Sequence, residues 1–154
     1  MKVSEIMRYE HNLIKVSPAT TLEFIIYRYD NVSVDSRLTY VVDETNALLG
    51  VVTIFDILRR IVSDEIIEEL KSNGRRREDL SEALRKSVNK NKALSARDIM
   101  RTEFFSVRPD DLFVSATKLL IEKAVTAVPV VSAEGVLVGE ITRRIILRYL
   151  AHTF

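Results

Sequence analysis

The sequence predicts an α+β fold of sandwich-like character. One β-α-β-β-α unit is built twice, with a helical insert between the copies. Three observations carry this reading of the 154 residues: an internal repeat whose order is kept, the same succession of strand-like and helix-like patterns in each copy, and a shift of charge that sets the middle apart. The expected boundaries are 1–62 for the first copy, 63–95 for the insert and 96–154 for the second copy.

The repeat is a set of short words in fixed order. Ser4–Met7 (SEIM) parallels Arg97–Met100 (RDIM), and Val16–Leu22 (VSPATTL) parallels Val107–Phe113 (VRPDDLF). Tyr40–Asp43 (YVVD) parallels Pro129–Ser132 (PVVS), and Gly50–Leu58 (GVVTIFDIL) parallels Gly139–Leu147 (GEITRRIIL). The offset drifts only from 93 to 89 residues, as small differences in loop length require.

Each copy opens with an apolar lead-in ending at Met7 or Met100. An extended piece then runs into Val16 or Val107 and is stopped by Pro18 or Pro109. Leu22, Ile25, Ile26 and Tyr29 recur at helical spacing, as do Phe113, Ala116, Thr117 and Leu120. Two strands follow, Leu38–Asp43 and Leu48–Thr53, matched by Ala127–Ser132 and Val136–Thr142. Turns around Glu44–Ala47 and at Gly135 separate them. A second helix closes each copy, through Ile54, Ile57, Leu58 and Ile61 or Ile145, Ile146, Tyr149 and Leu150. One such unit buries too little apolar surface to stand alone, so the two should pack sheet against sheet with helices outside.

The insert reads as two amphipathic helices, one through Ile66, Ile67 and Leu70 ended by Asn73-Gly74, the other through Leu80, Ala83, Leu84 and Val88. Residues 71–92 hold eight basic side chains against three acidic ones, although the whole chain has a net charge of only +1. The run Arg75-Arg76-Arg77 could meet nucleic acid phosphate or an acidic partner, or form a solvated helix face. No aromatic residue lies between Arg59 and Ile99, so a stacking platform for single strands is missing there. The apolar faces of these helices must be covered by the repeats or by a second copy.

Other classes find little support. With no cysteine there is no disulfide, thiolate metal site or catalytic thiol. Four glycines form neither a P-loop nor a dinucleotide fingerprint. His11 and His152 are isolated, no acidic cluster has metal-ligand spacing, and no local pattern suggests a catalytic triad. No apolar run is long enough for a membrane span, and the N-terminus carries acid where a signal peptide needs an apolar core. The expectation is a soluble cytoplasmic protein that is not an enzyme and has no metal or catalytic cofactor.

The duplicated words resemble a tandem pair of CBS domains, the regulatory module named after cystathionine β-synthase. The resemblance covers everything but the insert. It implies two repeats packed with pseudo-twofold symmetry, a tendency to homodimerise, and a cleft between repeats that takes an adenosyl ligand: AMP, ADP, ATP or S-adenosylmethionine.

The word Gly50-x-x-Thr53-x-x-Asp56 admits two roles. As a helix start, Thr53 caps the first turn and the acid answers at the third position. As a ligand site, the same helix end offers N–H groups to an anion, Thr53 donates a hydroxyl, and the Asp56 carboxylate accepts both ribose hydroxyls. The resemblance implies the second role. It places the purine wall at Met100, Phe105, Val125, Thr126 and Ala127, with Val51 adding an apolar contact. In the second cleft the aspartate is replaced by Ile145, which cannot hold ribose hydroxyls. Its wall would come from Met7, Ile14, Ser36, Arg37 and Leu38, with Thr142 kept as a helix cap. One competent site and one degenerate site are therefore expected. Arg143 and Arg144 are candidate phosphate contacts at the second cleft, and Arg37 could serve the phosphates of the first.

The leading functional expectation is a homodimeric sensor of adenosine nucleotides that acts on an effector protein. The alternatives are a nucleic-acid-binding or transcription-related regulator using the insert, an S-adenosylmethionine sensor, and a structural dimerisation module.

Overall fold

The computed structural model describes residues 1–31, 38–72 and 77–153. The strands are β1 (Arg8–Tyr9), β2 (Ile14–Val16), β3 (Leu38–Val42), β4 (Leu48–Thr53), β5 (Ala127–Val131) and β6 (Leu137–Thr142). The helices are α1 (Leu22–Asn31), α2 (Ile54–Ile61), α3 (Asp64–Ser72), α4 (Arg77–Asn91), α5 (Ala96–Ile99), α6 (Phe113–Glu122) and α7 (Arg143–Ala151). The mixed α+β architecture matches the expected class, with one three-stranded sheet in order β2-β3-β4 and another in order β1-β6-β5.

Within the first sheet β2 runs parallel to β3, and β3 runs antiparallel to β4. The second copy repeats the antiparallel pair as β5 and β6, but its extended piece makes only a single parallel bridge, Val107 to Val130. Pro129 explains the loss. The next rung would need the residue at 129 to donate its N–H to the Phe105 carbonyl, and proline has none. Tyr40 holds the same place in the first copy and allows β2 to form.

The lead-ins are exchanged between the copies. Val3 N–H donates to the Asp111 carbonyl at 2.8 Å and Ser4 N–H to the Pro109 carbonyl at 3.0 Å, so the N-terminal segment lies on the second copy. In return, Ala96 N–H donates to the Thr20 carbonyl at 2.7 Å and Arg97 N–H to the Pro18 carbonyl at 3.0 Å. The strand edges follow: Arg8 and Tyr9 pair with Glu140 and Gly139, and Arg101 bridges Val51. Each glycine of the repeated words receives the crossing segment. A side chain at Gly50 would meet Met100 Sδ at 2.7 Å and the Arg101 carbonyl oxygen at 2.8 Å. One at Gly139 would meet Met7 Sδ and the Arg8 carbonyl oxygen, both at 2.6 Å.

Three clusters of buried apolar side chains record this exchange. One gathers Val3 with Val107, Ala116, Leu120, Val128 and Ile141. A second gathers Ala96 with Val16, Leu22, Ile25, Val52 and Ile57. The third lies between the copies, where Leu13, Leu38, Tyr40 and Val51 meet Ala127 and Leu137. The β-hairpin turns also meet there. Asn46 and Gly135 take left-handed backbone, with φ of 66° and 84°. Leu137 N–H donates to the Asn46 carbonyl and Leu48 N–H to the Gly135 carbonyl, both at 3.0 Å. These reciprocal bonds give the pair its pseudo-twofold relation.

The insert packs back onto the first copy. Leu84 of α4 lies against that copy's core. The buried Ser87 hydroxyl donates to the Ile61 carbonyl at 2.6 Å, which ties α4 to the end of α2. Asn73, Gly74, Arg75 and Arg76, as well as Ser36 and Arg37, fall outside the described residues.

Candidate functional site

The junction of β4 and α2 is built by its sequence. Thr53 is extended, with φ −92° and ψ 155°, and its hydroxyl accepts the Asp56 N–H at 3.0 Å. The Asp56 carboxylate accepts the Thr53 N–H in return, at 3.4 Å. This is the reciprocal capping arrangement that the spacing predicts. The same carboxylate is then gripped from across the copies. Arg101 Nε donates to Asp56 Oδ2 at 2.9 Å and its terminal nitrogen donates to Oδ1 at 2.6 Å, a two-pronged ion pair. Burial alone would raise the Asp56 pKa, but Arg101 and the Thr53 bonds outweigh it and hold the carboxyl below its usual range. The Arg101 pKa is raised by its bond to Asp56.

Arg101 stands at the edge of a cavity of about 370 Å³ between the two copies. Val51 and Thr53 line it from one side, and Phe105, Val125, Thr126 and Ala127 line it from the other. Six of the residues expected for the competent site are thus brought together, with Asp56 joined to the wall through Arg101. Met100 does not line the cavity. It packs in the core of the first copy, because its thioether fills the space left by Gly50. Leu38, expected at the second cleft, lines this cavity, since its place in β3 meets Ala127 at the contact between the copies.

Sequence reasoning missed Phe55, Arg101 and Glu103, which also line the cavity. Phe55 and Phe105 are 60% and 45% exposed, high values for phenylalanines at the edge of a partly apolar cavity. Each has a cation near its ring, Arg59 at 5.6 Å from Phe55 and Lys123 at 5.4 Å from Phe105. Ala124 holds left-handed backbone, with φ 53°, and so turns the chain into the small Val125-Thr126-Ala127 wall. Arg143, expected to meet a phosphate in the other cleft, braces this wall: its Nε donates to the Val125 carbonyl at 3.0 Å and its N–H to the Thr126 carbonyl at 3.1 Å. Arg144 is exposed on the first turn of α7.

The pseudo-equivalent helix start, at the junction of β6 and α7, has a different chemistry. Thr142 caps α7 by accepting the Ile145 N–H at 3.1 Å, and Ile145 offers no carboxylate. Ile14 is buried in β2. Glu140 stands where Val51 stands in the first cleft, and Tyr40 stands where Pro129 stands. Both side chains are fully buried. Burial first, and then the neighbouring Glu140 carboxylate, push the Tyr40 hydroxyl well above its ordinary pKa. The sign follows directly. Above about pH 10 the unfolded chain has released this proton and the native chain keeps it, so stability falls as pH rises. Tyr40 should contribute a slope of about 1.4 kcal/mol per pH unit. Urea unfolding in alkaline buffers should show that slope reduced by one proton in Tyr40→Phe. An unchanged slope would mean that Tyr40 titrates normally in the native state.

A model of the CBS domain matches residues 3–63 and 96–152, and the chain belongs to the CBS domain family. It is 27% identical over 158 residues to the CBS domain-containing protein CBSX1, chloroplastic, of Arabidopsis thaliana. That match covers 95% of this chain and 62% of the relative, so the chain spans less than two thirds of that protein. The crystal structure of CBSX2 in complex with AMP superposes with a TM-score of 0.74 at 26% identity, over 99% of this chain and 97% of that one. A CBS domain-containing protein of unknown function from Bacillus anthracis superposes with a TM-score of 0.78 at 18% identity, over 100% and 95% of the two chains. Among the described residues no helix is long and apolar enough to cross a membrane, and no group of His, Asp and Glu could hold a metal ion.

Proposed function

We propose that the chain is a regulatory module that binds an adenosine nucleotide, AMP, ADP or ATP, in the cleft between residues 1–62 and 96–154, and that it catalyses no reaction. The observation that carries this reading is the cavity beside Thr53 and Asp56. A capped helix start and a wall of small and aromatic side chains line a space of about 370 Å³, within the size range of small-ligand sites, and the Asp56 carboxylate is joined to that lining through Arg101. The likeness to CBSX2, a protein seen with AMP, supports the ligand class. The nucleotide would bridge the copies and favour their closed arrangement, which an effector protein in the cytoplasm reads.

The module acts as a homodimer in this reading. Phe24 and Tyr27 of α1, Phe55 and Leu58 of α2, and Leu147 of α7 are exposed apolar side chains that a second copy would cover.

Thermal unfolding with AMP, ADP, ATP and S-adenosylmethionine tests the proposal. A ligand at a hundred times its dissociation constant should add about 2.7 kcal/mol, a shift of about 5 °C or more for a chain of this length. The absence of any shift up to millimolar ligand would leave Thr53 and Asp56 as a helix cap alone and overturn the reading.

A further inference from the structure

We infer that Arg101 makes the cleft select a phosphate-bearing ligand over a neutral or cationic adenosyl compound, by exchanging its bond to Asp56 for one to the ligand. The inference rests on the nucleotide reading and narrows its ligand class. Both Asp56 oxygens are engaged, Oδ2 by Arg101 Nε and the Thr53 N–H, and Oδ1 by the Arg101 terminal nitrogen. A ribose that places one hydroxyl on each of these oxygens must therefore displace the guanidinium, because Oδ2 already accepts two donors.

The displaced group cannot go far. Arg101 N–H donates to the Val51 carbonyl at 2.8 Å, and Val51 N–H donates to the Arg101 carbonyl at 3.0 Å, so its backbone is pinned to β4. Only the side chain swings, and it is 52% exposed against 16% for Asp56, so it has room to move. Once released, it is an unpaired cation on the lining of the cavity. A phosphate monoester carries nearly two charges and three acceptor oxygens, which match the guanidinium fork. It therefore outcompetes a single exposed carboxylate such as Glu103 on the same wall.

Adenosine offers the released cation nothing, so its binding bears the full loss of the ion pair. S-adenosylmethionine brings one carboxylate towards it, but with a sulfonium and an ammonium beside it, so its tail has a net positive charge. Neither matches the doubly charged, three-oxygen phosphate as a partner for the guanidinium. Arg101 thus acts as a specificity residue: it opposes every adenosyl ligand through Asp56 and compensates best those with a phosphate tail.

Isothermal titration of the wild type, Arg101→Gln and Arg101→Lys with AMP, adenosine and S-adenosylmethionine tests this. The wild type should prefer AMP to adenosine by about tenfold to a hundredfold. In Arg101→Gln, AMP should weaken while adenosine and S-adenosylmethionine tighten, because Asp56 is then free. Arg101→Lys, with the charge but not the fork, should keep part of the preference. Equal wild-type affinities for AMP and adenosine would overturn the inference and leave the nucleotide reading standing. So would parallel weakening of all three ligands in Arg101→Gln, the mark of a merely structural arginine. Failure of all three ligands, and of ADP and ATP titrated beside them, to bind the wild type would overturn both.

Discussion

Alanine at Gly50 should destabilise the protein by about 1–3 kcal/mol and abolish nucleotide binding, whereas alanine at Gly139 should cost similar stability and spare the ligand. The two positions are equivalent in the repeat and both receive an exchanged lead-in. At Gly50 a Cβ would press on Met100 Sδ at 2.7 Å and on the Arg101 carbonyl oxygen at 2.8 Å. The thioether is adaptable and can move, but the carbonyl belongs to the paired backbone. Relief therefore requires the segment at Arg101 to lift from Val51, which breaks the paired backbone bonds there and carries the guanidinium away from Asp56. At Gly139 the clash falls on Met7 and Arg8, which edge the other sheet and line no part of the candidate cavity. Urea unfolding reads the shared cost and calorimetry with AMP reads the difference. If Gly50→Ala bound AMP as well as the wild type, the lead-in would not position the site.

The elements were legible because each copy writes the same periods in the same order. Leu22 and Ile25 gave α1, the runs into Val42 and Thr53 gave β3 and β4, and the Thr53-x-x-Asp56 spacing gave the cap that α2 shows. The exchange of lead-ins was not legible. Periodicity shows that Val3 and Ala96 are apolar, but it does not say which copy receives them. That choice is made by the close approach at Gly50 and Gly139, a tertiary fact for which a lone glycine is an ambiguous sign. The loss of a strand before Val107 needed the register as well, because Pro129 matters only once the missing rung is known. Arg101 did leave a signal. The apolar lead-in ends in Met-Arg in both copies, at Arg8 and at Arg101, one residue past the words that defined the repeat. Its partner could not be read from one copy, since Asp56 reaches it only after the exchange. Leu38 lines the candidate cavity as well, a place its own copy's periods do not reveal, because its neighbours there belong to the contact between copies.

Replacing Asp56 by alanine should weaken AMP binding by about a hundredfold, and replacing Thr53 by alanine should weaken it much less while costing similar stability. The two substitutions separate the roles that share this helix end. Losing the Thr53 hydroxyl removes the cap on the Asp56 N–H, worth about 1 kcal/mol, but leaves the carboxylate in place. Losing the carboxylate removes the reciprocal cap and the two-oxygen acceptor placed at this helix start to hold both ribose hydroxyls. Two hydrogen bonds to a charged group are each worth about 1.5–3 kcal/mol. The wild type gives part of this back when the ligand displaces Arg101, which is why the expected net effect is nearer a hundredfold than the full sum. The acid side offers an independent check. The native Asp56 pKa is depressed, so its contribution to stability is complete above the ordinary carboxylate range and is lost as pH falls through the lower native value. The stability difference between wild type and Asp56→Ala should therefore be constant near neutrality and shrink only in acid. If both alanine variants lost stability alike and neither changed the dissociation constant of AMP, the helix end would be a cap and the ribose would be held elsewhere.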